Sequence, residues 1–106
     1  MRVTIAHDKG QKEAMRIIDQ SAKDLIGGLP TGPVKITDTE KSWNGNTMTF
    51  SFRAKMGLFG SLIHGTILVT EKDAIIDIEL PGIVKNFFPE EKIRAAVETK
   101  AKGLLT

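Results

Sequence analysis

A chain of 106 residues with 41% hydrophobic and 26% charged content has the size and composition of one ordinary globular domain over residues 1–106 with a modest core. It has no cysteine, which excludes disulfides and thiolate chemistry, and its formal charge is only +2. No basic cluster is interleaved with aromatics, so solvated surface is the plainer reading of its lysines and arginines and no nucleic-acid partner is expected.

Met1 to Asp8 lacks the apolar stretch of a signal peptide, and no run approaches a transmembrane segment; a cytoplasmic location is the expectation. Val3 and Ile5 alternate with Arg2 and Thr4 as a short first strand. Asp8, with Gln11 three positions on, has the spacing of a capping box opening a helix. Ala14, Ile17, Ile18, Ala22 and Leu25 form that helix's apolar stripe, and Gly27-Gly28 followed by Pro30 ends it.

Val34 and Ile36 begin a second strand, but the alternation then fails, leaving Asp38, Glu40 and Ser42 on the nominally inner face. Either the strand outruns the core there, or a β-bulge near Asp38 resets the pattern and turns Trp43 inward; the bulge is the preferred reading. Asn44-Gly45-Asn46 is a sharp turn into a meander.

The meander, Trp43 to Leu80, organises the chain. Met48, Phe50 and Phe52 share one face, as do Ile63, Gly65, Ile67 and Val69, and then Ile76, Ile78 and Leu80. Gly57-Leu58 suits a type II′ turn, which sets Phe52 opposite Ile63 and Phe50 opposite Gly65, where a bare backbone admits close approach of Phe50 or of a covering helix. Lys72-Asp73 is the predicted centre of the next hairpin, pairing Val69 with Ile76. Pro89-Glu90-Glu91 opens a last helix with the apolar stripe Ile93, Ala96, Val97, Ala101 and Leu104.

The element order β-α-β-β-β-β-α, with one oily sheet face and two amphipathic helices to cover it, predicts an α+β fold. Its sheet is five-stranded and antiparallel in the order 2-3-4-5-1, resembling a reduced helix-grip arrangement.

Candidate chemistry is sparse. His7 reads as a structural partner to its loop, and His64, facing out beside Ser51 and Thr66, has no acid placed to orient it. Asp77 and Glu79 are too few for a closed metal site, and the glycines lack the strand-loop-helix setting of a phosphate loop. No catalytic, cofactor or metal residues are therefore assigned, and the chain is not expected to be an enzyme.

Apolar residues without an obvious interior place are more informative. Met56, Leu58 and Phe59 at a hairpin tip, and Phe87 and Phe88 before the last helix, either close the ends of the core or form an exposed patch for a partner. Leu62, Leu68 and Ile75 on the outer face could add a homodimer surface. Phe50, Phe52, Ile67 and Ile93 would line a ligand pocket between sheet and C-terminal helix, were one open.

Ile5-Ala6-His7 with Gly10 and Glu13-Ala14, then Trp43 through Phe50, Gly57, Gly65 and Leu80-Pro81, together resemble the putative polyhydroxyalkanoic acid system family over nearly the whole chain. The sequence departs from that pattern at Phe87-Phe88-Pro89 and carries Gly45-Asn46 where Gly-Asp is frequent. The resemblance implies a bacterial setting near polyhydroxyalkanoate synthesis and its granules, and it implies no mechanism. Two functions follow as expectations. One is a non-enzymatic accessory protein that touches a granule surface or granule-associated protein through the apolar patch. The other is a ligand-binding or minor enzymatic role, with a fatty or hydroxyacyl molecule held between the sheet and the C-terminal helix.

Overall fold

A computed structural model describes residues 1–27, 34–82 and 89–106. In chain order they form β1 (Arg2–Ala6), α1 (Gln11–Gly27), β2 (Lys35–Asn44), β3 (Thr47–Met56), β4 (Phe59–Val69), β5 (Asp73–Ile78) and α2 (Glu90–Leu105). The strands make one antiparallel sheet in the order β1-β5-β4-β3-β2, which is the predicted order read from the other edge. Both helices lay their apolar stripes on one sheet face, giving the α+β fold expected from the pattern.

Alternation dictates which residues are inside. Val3, Ile5, Met48, Phe50, Phe52, Ile63, Ile67, Val69, Ile76 and Ile78 are buried, while Val34, Ile36 and Leu80 lie half-buried at the margins. Each helix contributes residues one turn apart: Ala14, Ile18, Ala22, Leu25 and Ile26 from α1, and Ile93, Val97, Ala101 and Leu105 from α2. Leu105, not Leu104, takes the innermost place at the end of the second stripe.

The β3–β4 register is the predicted one, with Met56 opposite Phe59, Phe52 opposite Ile63 and Phe50 opposite Gly65. Gly57 has φ +60° and Leu58 is not in the left-handed region, as a type II′ turn requires. The β4–β5 register differs from expectation. Val69 faces Ala74, not Ile76, so Glu71-Lys72 forms the tip. The cause is Thr70, whose hydroxyl accepts the Asp73 N–H at 2.9 Å while its own N–H donates to the Asp73 carbonyl at 2.8 Å. Because the shift is by two residues, every side chain keeps its face.

The helix α1 start also needs correction. It begins at Gln11, with the Ala14 N–H reaching the Gly10 carbonyl at 3.0 Å, so Gly10 and not Asp8 holds the N-cap position. The missing acceptor comes from far away in sequence: a Glu71 carboxylate oxygen lies 3.2 Å from the Gln11 N–H. Gly10 has φ +79°, and a Cβ there would stand 3.1 Å from the other Glu71 oxygen. The helix thus opens against the β4–β5 turn, where Gln11 Nε2 donates to the Val69 carbonyl at 3.0 Å.

In β2 the pairing with β3 slips between Thr37 and Glu40, with Asp38 at φ +54°. Aspartate tolerates this conformation better than most residues. The slip is the expected β-bulge, and beyond it Trp43 packs against the core opposite Met48. The Trp43 indole donates to Asp19 Oδ1 at 2.8 Å, and Lys41 Nζ lies 3.0 Å from the same oxygen. Those two donors tie α1 to the edge strand, and the indole bond, followed by that of Lys41, holds the Asp19 carboxyl below its usual range.

Candidate functional site

The two histidines have different surroundings. His7 is only 9% exposed, its Nδ1 accepts the Lys9 N–H at 3.2 Å, and its Nε2 therefore carries the proton toward the Thr70 carbonyl 3.1 Å away. Both nitrogens are engaged by backbone, so this ring braces the loop before α1 against the β4–β5 turn. His64 is exposed on the outer sheet face, opposite Ser51 as the register predicts. Two open depressions flank it: one of about 380 Å³ reaches Glu40, Ser42 and Ser51, and one of about 320 Å³ reaches Thr66, Asp77 and Glu79. Among the described residues no three His, Asp or Glu side chains gather closely enough to hold a metal ion.

Phe50, Phe52, Ile67 and Ile93 are all buried. The Phe50 and Phe52 rings stack with centroids 6.4 Å apart, and the outer edge of the Phe50 ring lies against Gly65, where a Cβ would come within 2.2 Å of its Cζ. Voids of about 10 Å³ lie between sheet and helices against Phe50, Ile67 and Val97 and against Ile67, Ala101 and Leu105. Each has about the volume of a single water probe.

The β3–β4 hairpin tip contrasts with that packed interior. Ala54, opposite Ser61, is buried, and the hairpin continues beyond it to the turn. Leu58 is fully exposed, Phe59 is 68% exposed and Leu62 47%. Met56 pairs with Phe59 through the backbone. Phe87 and Phe88, the other half of the predicted patch, lie outside the described residues. Leu62 is separated from the paired Leu68 and Ile75 by six positions along β4, roughly 20 Å, with His64 and Thr66 between them. The outer apolar residues therefore fall into two groups and not one continuous face.

Sequence reasoning left out the cations on the outer face next to the tip. Lys35 and Lys55 face each other across β2 and β3, and Arg53 stands beside Leu62 on the same outer face. The signal was present in the alternation, since Arg53 and Lys55 share a parity, but Lys35 joins them only through the β2–β3 register.

A small α+β protein with an apolar core between sheet and helices and exposed apolar residues at a hairpin tip is the class these features define. The chain belongs to the family described as putative polyhydroxyalkanoic acid system protein, which matches residues 1–105. No curated protein and no solved structure matches it. That family description names a system and not an enzymatic activity, and no helix among the described residues is long and apolar enough to cross a membrane.

Proposed function

We propose that this chain is a non-enzymatic accessory protein of the polyhydroxyalkanoate system. It acts in the cytoplasm and contacts the granule surface, or a protein on it, through the apolar tip of the β3–β4 hairpin. The observation that carries this reading is the exposure of Leu58 and Phe59 side by side on a chain of this family. Neighbouring large apolar side chains left in water mark a contact site, whereas isolated ones are ordinary.

The packing of the described core residues favours surface contact over an enclosed acyl ligand. Voids of about 10 Å³ compare with the several hundred cubic ångströms of a ligand pocket. Phe50, which would line such a pocket, is already committed to Gly65.

Replacing Leu58→Asp together with Phe59→Asp removes the apolar tip without touching the core. The double variant is expected to keep its thermal transition and lose co-sedimentation with isolated granules. Sedimentation equal to that of the unaltered protein would refute the reading.

A further inference from the structure

The tip is basic as well as oily, and the placement of its charges narrows what it meets. Lys35 and Lys55 are exposed and directly opposed across the β2–β3 pair, an arrangement that disfavours the sheet unless an anion lies nearby. Neither lysine has an ion-pair partner among the described residues. Lys55 lays its stem over Gly60, 3.7 Å from where a Cβ would stand, so that residue's aliphatic part extends the apolar tip while its ammonium remains at the rim. Arg53 adds a third cation, and Asp38, 3.7 Å from Arg53 Nε, is the acid beside it.

From tip to base the order is therefore Leu58 and Phe59, then Lys55 opposite Lys35, then Arg53 opposite Thr37. An apolar end followed on the outer sheet face by Lys55 and Lys35, one residue pair beyond Met56–Phe59, and by Arg53, three pairs beyond it, matches the profile of an anionic lipid layer, with acyl chains inside and phosphates at the boundary. A second copy of this chain docked tip to tip would set Lys35 and Lys55 against their own like charges. We infer that the β3–β4 hairpin inserts Leu58 and Phe59 into an anionic phospholipid layer, with Lys35, Lys55 and Arg53 seated on the phosphates. This rests on the granule-contact reading and specifies the chemistry that the tip recognises. With two inserted side chains and three cations, the binding is reversible and weakens as salt is raised.

Vesicle co-sedimentation tests it. The full chain should pellet with vesicles of phosphatidylcholine containing 30% phosphatidylglycerol and stay in the supernatant with phosphatidylcholine alone. Leu58→Ser with Phe59→Ser should lower partitioning by about a hundredfold. Lys35→Gln with Lys55→Gln should lower it by about thirtyfold at low salt. Circular dichroism confirms that each variant is folded, and both pairs lie outside the core. Failure of the unaltered chain to pellet, equal binding to both vesicle types, or binding unaffected by the tip variant overturns the inference. If granule binding is nevertheless lost in Leu58→Asp with Phe59→Asp, the granule reading stands with a protein as its partner. If that variant still binds granules, the granule reading itself falls, whatever the vesicles show.

Discussion

Replacing Gly65 by alanine asks whether the ring-on-backbone contact at the sheet centre is as tight as its geometry implies. The added methyl would lie 2.2 Å from Phe50 Cζ and 2.8 Å from both Cε atoms, far inside van der Waals contact. The ring has little room to yield, because it is buried and stacked on Phe52. Overpacking of this kind costs about 1–3 kcal/mol. The smaller unfolded-state entropy of alanine returns roughly 0.4–1 kcal/mol, so the net loss should be about 1–2 kcal/mol. In a domain of this size that lowers Tm by roughly 5–15 °C. Urea denaturation of Gly65→Ala, Phe50→Leu and the double variant forms a thermodynamic cycle. Removing the outer ring atoms relieves the clash, so the double variant should be less destabilised than the sum of the single changes by about 1 kcal/mol or more. A neutral Gly65→Ala, or additive effects in the cycle, would refute the account of why glycine stands opposite Phe50.

Two further predictions concern polar contacts made at a distance in sequence. The Asp19 carboxyl is held below its ordinary value of 3.8 by the Trp43 and Lys41 donors. Its contribution to stability is therefore present above the unfolded-state value and lost as pH falls through the lower folded-state value. An NMR titration of that carboxyl should show a midpoint under 3.8, and one at or above it would contradict the clamp between α1 and β2. At the other end of α1, Glu71→Gln should cost about 0.3–1 kcal/mol at low salt by weakening the negative charge at the helix start. Thermal melts in 1 M NaCl should shrink the difference toward zero, since this carboxylate is exposed to screening; a difference unchanged by salt would exclude the electrostatic account.

Much of the fold was readable because period-two alternation and turn chemistry constrain each other. Gly57-Leu58 fixed a register that independently placed Phe50 over Gly65, and the parity failure around Asp38 located the bulge. The misreadings share a physical cause. Asp8 and Gln11 had the right spacing for a local cap, yet Glu71, brought in by the β4–β5 turn, occupies that position in space. Likewise, the Thr70 hydroxyl shifted the turn centre by one residue through a side-chain bond that alternation cannot register. Both are side-chain hydrogen bonds, one between residues 60 apart and one between residues three apart, and neither leaves a periodic trace.

The tip was the least legible part for a geometric reason. Met56-Gly57-Leu58-Phe59 continues the apolar pattern of the strands, so its residues alone fit a core end or a contact surface equally well. What separates the two is how far the roof reaches. Seventeen residues of α1 span about 25 Å, and sixteen of α2 slightly less. Ten residues of β3 span about 33 Å. The hairpin is thus longer than either covering helix by roughly 8 Å, about two residue pairs, and at its turn Leu58 and Phe59 are exposed. The exposed Leu58 and Phe59 side chains gain little by folding, and the opposed lysines beside them disfavour it. Contact with an oily, anionic surface would satisfy both groups at once.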